Sequence, residues 1–475
     1  MDDNQHSFLS FVKVAVQRFR EWDTGPIRLI SHIDADGISA CSLMIKTLNL
    51  QNRKYSLSIV QNVSSDFLEK ICKEDYGSYI FTDIGSGHIR LISSLFSGKN
   101  VLILDHHKTE EVTLSKNIIH VNPTLFGIDG GREVSGAGVV YLFCKEIDEK
   151  LKGMAHIALI GALGDVQEEN GFLALNNSIL VDAVDQGTIR VIRGLRIFGA
   201  QTRPLHKILE YSTDPYIPGV TGNESAAIQF LQQVGITPRV GNSWKKIVHL
   251  TSEEIKNLIE GIIMKRMGEE NPDDVLGNVY LLPHEEKESP FRDAKEFATL
   301  LNATGRMQKA SLGIGACLGD SKNKQLAMRA LIAYKKEIIG ALTWFEKGKN
   351  PDQIERGKGY LIINAAGYVN YAIIGTIASI LSKSEKSKNI SYILSLAHMD
   401  ERLSKVSLRK TNPRSSEDLR EIMKELIDGL EGCEAGGHKQ AAGGIVPLKW
   451  ENEIIARAHL ILGKKTMEER IDFLE

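Results

Sequence analysis

The sequence predicts an α/β protein: a doubly wound, mostly parallel sheet, followed by a second and smaller α/β domain, with a helical insertion between them. Three observations predict it. Short apolar runs, Ile27–Ile30, Tyr79–Phe81 and Val101–Leu104, alternate with helix-like segments, the texture of strands buried on both faces. Each run ends in acidic or imidazole residues: His32-Ile33-Asp34-Ala35-Asp36-Gly37, then Asp83, then Asp105-His106-His107, and Asp165 closes a further apolar stretch. At 475 residues the chain is also too long for one average domain.

In chain order, Gly37 opens an apolar helix to Leu50, followed by a strand at Tyr55–Val60 and a helix at Phe67–Lys73. Asp83 leads through Gly85-Ser86-Gly87 into a helix-like run to Phe96. The strand Ile118–Val121 stops at Asn122-Pro123, and Ser135-Gly136-Ala137-Gly138 starts a helix to about Ile147. This alternation to residue 200 is that of a parallel sheet with helical crossovers. Pro204, Pro215, Pro218, Gly219 and Gly222 then break the pattern, and residues 223–285 read as mainly helical, with Thr251-Ser252-Glu253-Glu254 as a capping box. We therefore expect a linker and helical insertion over 201–285. A second α/β unit is expected over 286–475, with a long helix Lys322–Phe345, strands near Gly359–Asn364, Tyr392–Leu396 and Lys405–Leu408, and a helix Glu417–Leu430 before a glycine-rich segment.

Bulk properties exclude more than they assign. A net charge of −2, with 42% hydrophobic and 25% charged residues, is ordinary for a globular protein and gives no whole-chain sign of nucleic acid or membrane binding. Five scattered cysteines form no CxxC pair and no zinc-ligand spacing, so reduced thiols in a cytoplasmic protein are expected. The N-terminal segment reads as a short amphipathic helix without a signal-peptide core. The most apolar stretch, Tyr371–Leu381, is too short to span a bilayer.

In an open α/β sheet, functional groups gather beyond the carboxyl ends of the strands. Four acidic or imidazole sets at such ends should converge. Hard oxygen donors with imidazole suit Mn²⁺ or Mg²⁺, and the absence of nearby thiolates argues against a soft metal. Any one of these aspartates could equally be a helix N-cap, but caps account for them singly and not as a set. Asp34 and Asp36, two apart, would point the same way from an extended strand end. Ser135 and Gly136 open a helix whose N–H groups could meet a phosphate, or the glycines there could serve tight packing. No P-loop and no G-x-S-x-G elbow is present.

In order and context, Asp34-Ala35-Asp36-Gly37, Asp83, Asp105-His106-His107 and Gly164-Asp165 resemble the four motifs of the DHH phosphoesterase superfamily. Gly436-Gly437-His438 through Ala441-Ala442-Gly443-Gly444 resembles the nucleic-acid-binding signature of the associated DHHA1 domain. The pair is similar to the RecJ-like single-strand exonucleases, above all to the archaeal branch associated with the GINS replication complex. The resemblance implies two Mn²⁺ or Mg²⁺ ions held by Asp34, Asp36, Asp83, His106 and Asp165, with Asp83 as the bridge. His32 would be a further ligand or a hydrogen-bonded support behind the ligands. Asp105 would ligate or orient His106, and His107 would face the scissile phosphate. Arg409, Gly436, Gly437 and His438 would clamp the phosphates of single-stranded DNA or RNA. Two other activities remain consistent with the same site: a phosphodiesterase for small molecules or short oligonucleotides, and a replisome scaffold. The polarity of digestion is not encoded in these motifs.

Overall fold

The apolar runs become strands in the computed structural model, which describes residues 2–212, 214–347, 353–384, 389–412 and 417–472. After α1 (Asp3–Arg20) come β1 (Ile27–His32), α2 (Ala35–Leu50), β2 (Tyr55–Val60), α3 (Ser65–Ile71), β3 (Ser78–Thr82), α4 (Ile89–Leu95), β4 (Asn100–Leu104) and β5 (Ile118–Val121). The five strands form one parallel sheet in the order β2-β1-β3-β4-β5. The order reverses between β1 and β3, the switch point where such sheets place their functional crevice. One face carries a core of Ile30, Leu68, Phe81, Phe96 and Ile103. Behind the sheet, α2 packs on α5 (Gly136–Ile147) and α6 (Ala155–Gly164). Buried on nearly every side, α2 needs no polar stripe, which is why its sequence is apolar almost throughout.

After α7 (Ala174–Asp185) the chain leaves along β6 (Arg190–Leu195). It builds α8 (Leu205–Glu210), α9 (Glu224–Gln233), the two-residue strands β7 (Arg239–Val240) and β8 (Ser243–Trp244), and α10 (Ser252–Lys265), then returns along β9 (Leu276–Leu281). The expected helices are there, and the capping box at Thr251 and Glu254 is formed. The strand content departs from the expectation: β6 and β9 pair antiparallel, from Arg190 opposite Leu281 to Leu195 opposite Leu276, and close the neck of the insertion. Inside, Leu205, Leu209, Ile217, Phe230, Leu231, Leu258 and Ile262 make a core of its own.

The chain divides into compact units at Met1–Leu331 and Ile332–Glu475, so residues 286–331, expected with the second domain, belong to the first. The reason is packing: α11 (Ala294–Arg306) buries Phe297, Leu300 and Leu301 and lies on α2 and α6, and α12 (Ala310–Cys317) also lies on α2. The long helix α13 (Ser321–Lys347) follows.

The second unit contains β10 (Ile354–Arg356), β11 (Tyr360–Asn364), α14 (Tyr371–Ser382), β12 (Tyr392–His398), β13 (Leu403–Lys410), α15 (Leu419–Ile427), β14 (Glu434–His438), β15 (Ala441–Pro447) and α16 (Glu451–Asp472). Its sheet runs β10-β11-β12-β13-β15-β14, antiparallel except for β11–β12. Tyr392, Leu394, Val406, Leu408, Ile422, Met423 and Leu462 are buried together. The glycine-rich segment is a β-hairpin of β14 and β15. Neighbouring strands approach so closely that a side chain on Gly444 would meet the Glu434 carbonyl. Among the described residues, no helix is long and apolar enough to cross a membrane.

Candidate metal centre

Four chain segments meet at the carboxyl ends of β1, β3 and β4. At the first, the chain turns from β1 directly into α2, so Asp34 is the helix N-cap and accepts from the Gly37 N–H at 3.0 Å. Asp34 and Asp36 thus straddle a strand-to-helix turn and do not lie in an extended strand end. The second oxygen of Asp34 is left to lie 3.0 Å from His32 Nδ1. Asp36 is fully buried and accepts from the N–H groups of Gly136 (2.6 Å) and Ala137 (3.0 Å) at the start of α5.

This corrects the expectation for Ser135 and Gly136. Their helix N-terminus is spent on the Asp36 carboxylate, with Ser135 buried as the cap accepting from Gly138. It is a support for the acidic cluster and not an open phosphate cradle. A side chain on Gly136 would collide with Asp83, and one on Gly161 of α6 with Asp36 Oδ1 and with Ala137 Cβ, 2.7 Å away. Gly161→Ala should therefore destabilise the protein by roughly 1–3 kcal/mol through overpacking, seen as a lower urea midpoint at unchanged m-value. An unchanged midpoint would show that the cluster yields freely.

Asp83 follows β3 with φ +57, a left-handed conformation that Asp tolerates better than most residues. Its Oδ2 lies 3.4 Å from His32 Nδ1 and its Oδ1 3.3 Å from His106 Nε2. His106 Nε2 is also 3.4 Å from Asp165 Oδ2 and 3.8 Å from Asp36 Oδ2. The other ring nitrogen, Nδ1, bonds to the Gly130 carbonyl, so in the neutral ring Nε2 is the lone-pair nitrogen facing the carboxylates. Gln167 Nε2 donates to the same carbonyl at 2.9 Å and is itself held by Asn176 at 2.8 Å.

Of its two expected roles, ligand or support of His106, Asp105 departs from the second. Its carboxylate accepts from the N–H groups of Ser86 and His106 and from His107 Nδ1 at 2.7 Å. It orients His107 and not the ring of His106. Behind it, Ser86 Oγ bonds His120 Nε2 and Asn122, and Asn122 also donates to the His107 carbonyl. The sequence does not announce that support, nor does it announce α11, whose Asn302 Oδ1 accepts from Ala35 N–H at 2.9 Å and whose Gly305 lies against the Ile33 carbonyl. A glycine in an amphipathic helix is the one available signal for so close an approach.

The electrostatics are those of a crowded acidic site. Burial, with Asp83 and Asp165, raises the pKa of Asp36 well above the usual carboxylate range. Burial, with Asp34 and Asp83, pushes Asp165 up to about 7. Burial opposes ionisation of Asp34 and Asp105 as well, but His32 holds the first, and His107 the second, below the ordinary value. Burial disfavours charge on His32 and His106 too, yet the surrounding carboxylates raise both well above the usual imidazole value.

Three groups could hold cations by donor type and spacing: His32, Asp34 and Asp83; Asp36, His106 and Asp165; and Asp83 with Asp105, His106 and His107, the donors of each lying within 4.8 Å of one another. The fit is tested by what the protein leaves unsatisfied. Both oxygens of Asp83 and His106 Nε2 are buried without a well-formed hydrogen bond, held only by ion-pair contacts of 3.3–3.8 Å, a costly state that bound cations would relieve.

The second unit holds the remaining expected residues. Arg409 of β13 donates to Ser379 Oγ of α14 at 2.8 Å and to the Leu408 and Ala442 carbonyls, so much of its guanidinium braces the sheet. Gly436 is exposed on the edge strand β14 with nothing near the position of a side chain, whereas one on Gly437 would meet β15. His438 ends β14; its side chain lies outside the described residues.

Residues 26–164 match the model of the DHH family N-terminal domain, residues 197–278 the DHH-CID domain, and residues 358–464 the DHHA1 domain. The protein MJ0831 of Methanocaldococcus jannaschii is 31% identical over 448 residues, covering 93% of this chain and 94% of that one. The chain belongs to the DHH family. It is a RecJ-like member by fold: the exonuclease RecJ bound to manganese superposes with a TM-score of 0.54 at 16% identity, over 96% of this chain and 94% of that one. The Mn²⁺ complex of RecJ from Thermus thermophilus gives 0.56 at 14% identity over 97% of this chain, which spans only 55% of that RecJ. CDC45 from Entamoeba histolytica gives 0.63 at 12% identity, over 97% of this chain and 99% of its own. At these identities the likeness is one of fold.

Proposed function

We propose that this DHH-family chain is a divalent-metal-dependent exonuclease hydrolysing phosphodiester bonds of single-stranded DNA or RNA. On this reading it holds two Mn²⁺ or Mg²⁺ ions and works in the cytoplasm, in replication and repair with the GINS complex. The observation that carries the proposal is Asp83, whose two oxygens face different donor sets. His32 and Asp34 with Asp83 Oδ2 would hold one cation; Asp36, His106 and Asp165 with Asp83 Oδ1 would hold the other. Such a pair supplies an activated water nucleophile and neutralises charge on the phosphate.

The chain's own residues supply the rest. Asp105 fixes the His107 ring through Nδ1 and, against the effect of burial, raises its pKa, so the ring can carry a proton to the leaving oxygen. Asp36 is held on two backbone N–H groups and needs no reorganisation when charge develops. In the second unit, Arg409 and the exposed edge at Gly436 and Gly437 are the proposed contacts to the strand backbone, with His438 beside them. The test is digestion of 5′-labelled and 3′-labelled single-stranded DNA and RNA with Mn²⁺ or Mg²⁺. Shortening by the wild type supports the reading and reports polarity and sugar preference. Cleavage of dinucleotides alone would favour a small-substrate phosphodiesterase instead.

GINS binding is assigned to the insertion between β6 and β9, a unit with its own core on a paired neck. Because Leu195 and Leu276 are opposite one another, residues 196–275 can be replaced by an Asn-Gly turn, which suits a two-residue hairpin connection. The shortened protein should keep cleaving single strands and lose GINS in co-sedimentation. GINS binding at wild-type strength would remove the insertion from the interface.

A further inference from the structure

Val166 directly follows Asp165 of the acidic cluster and closes α6. The closure is a Schellman arrangement: the Val166 N–H donates to the Leu163 carbonyl at 3.2 Å and the Gln167 N–H to the Ala162 carbonyl at 3.0 Å. This places Val166 at the position usually filled by glycine, and its φ is indeed +58. Of the non-glycine residues with left-handed φ among those described, it alone is β-branched, the side-chain class least suited to that conformation. Nor does packing compensate: the side chain is 77% exposed. A strained backbone and an apolar side chain in water, next to the partly exposed Asp165 carboxylate, give the fold nothing in return.

We propose that the Val166 isopropyl group is the wall against which the base of the nucleotide beside the scissile phosphate packs. This rests on the nuclease reading above and adds a specificity-determining residue to it. The strain is then retained because it holds an apolar surface at the rim of an otherwise charged site. Asp165 binds inward, its Oδ2 3.4 Å from His106 Nε2, while the next side chain faces outward. A nucleobase offers an apolar face of any sequence to such a wall.

The experiment compares Val166→Gly, Val166→Asn and Val166→Ile with wild type in the full chain with Mn²⁺. The substrates are a plain single strand and one whose degraded end carries an abasic nucleotide. Gly and Asn suit left-handed φ, so both variants should melt at or above the wild-type temperature. On the plain strand their KM should rise about five- to tenfold at nearly unchanged kcat, while Val166→Ile keeps the wild-type KM. On the abasic strand the wild type should fall to the level of the Gly and Asn variants, which themselves barely respond to the missing base. Unchanged KM in the Gly and Asn variants, or a wild type indifferent to the abasic end, overturns the proposal. Lower melting temperatures for both overturn its premise of strain. A wild type that cleaves neither strand overturns the nuclease reading itself, and this proposal with it.

Discussion

Asp83→Ala should abolish strand cleavage, with kcat/KM falling by about a thousandfold or more, equivalent to about 4 kcal/mol in the barrier. Asp83 faces both donor sets, Oδ2 toward His32 and Oδ1 toward His106, so its loss would weaken both cation positions together. Asp83→Asn is the companion variant, because Asn also tolerates φ +57 and preserves the shape of the site. If both variants fold, and neither gains the rise in melting temperature that Mn²⁺ gives the wild type, the loss is one of cation binding. Retention of a tenth of wild-type cleavage by either would remove Asp83 from the centre of the site.

The second large effect is on stability without metal. Asp165 is pushed up to about 7, by burial first and then by Asp34 and Asp83, so folding favours its protonated form. A carboxyl raised in the folded state binds more protons there than when unfolded, and stability falls as pH rises from about 4 to about 7. Asp36, raised by burial and by Asp83 and Asp165, acts in the same direction. His32 and His106, raised by their carboxylate neighbours against burial, add stability at low pH that is lost as pH climbs through their folded values. In chelator, the wild type should therefore melt lower at pH 9 than at pH 6. Asp165→Asn should be more stable than wild type at pH 8 by roughly 1–2 kcal/mol, a few degrees by calorimetry, while losing cleavage. A variant less stable than wild type under those conditions would mean that the ion pair with His106 outweighs the repulsion.

Both expectations turn on residues legible from the sequence: the sets at Asp34, Asp83 and Asp105 follow short apolar runs that are strands, whereas the apolar run before Asp165 is the helix α6 and not the strand expected. Their supports are not legible. Nothing near Asp36 announces that its oxygens rest on Gly136 and Ala137, since the pairing spans much of the domain and depends on where α5 docks. Ser135-Gly136 reads as a phosphate cradle for the same reason: a helix N-terminus looks alike whether it meets a ligand or a carboxylate of its own chain. The amphipathic pattern of α11 says that one face is buried and not what buries it, so its return to α2 and α6 goes unseen. Glycine weakens strands, which hides the β14–β15 hairpin, whereas the short runs Tyr392–Leu396 and Lys405–Leu408 are visible inside β12 and β13.

The Asn302 carboxamide on the Ala35 N–H and the glycine contact at Ile33 have a consequence for biosynthesis. The turn carrying Asp34 and Asp36 is latched by residues made long after it, once the insertion has already been translated. A chain emerging from the ribosome can finish its first sheet with all its acidic residues while that turn still lacks its latch. On the proposed chemistry, an enzyme able to degrade RNA would thus stay blunt beside the messenger that encodes it and sharpen only when synthesis is well past the insertion.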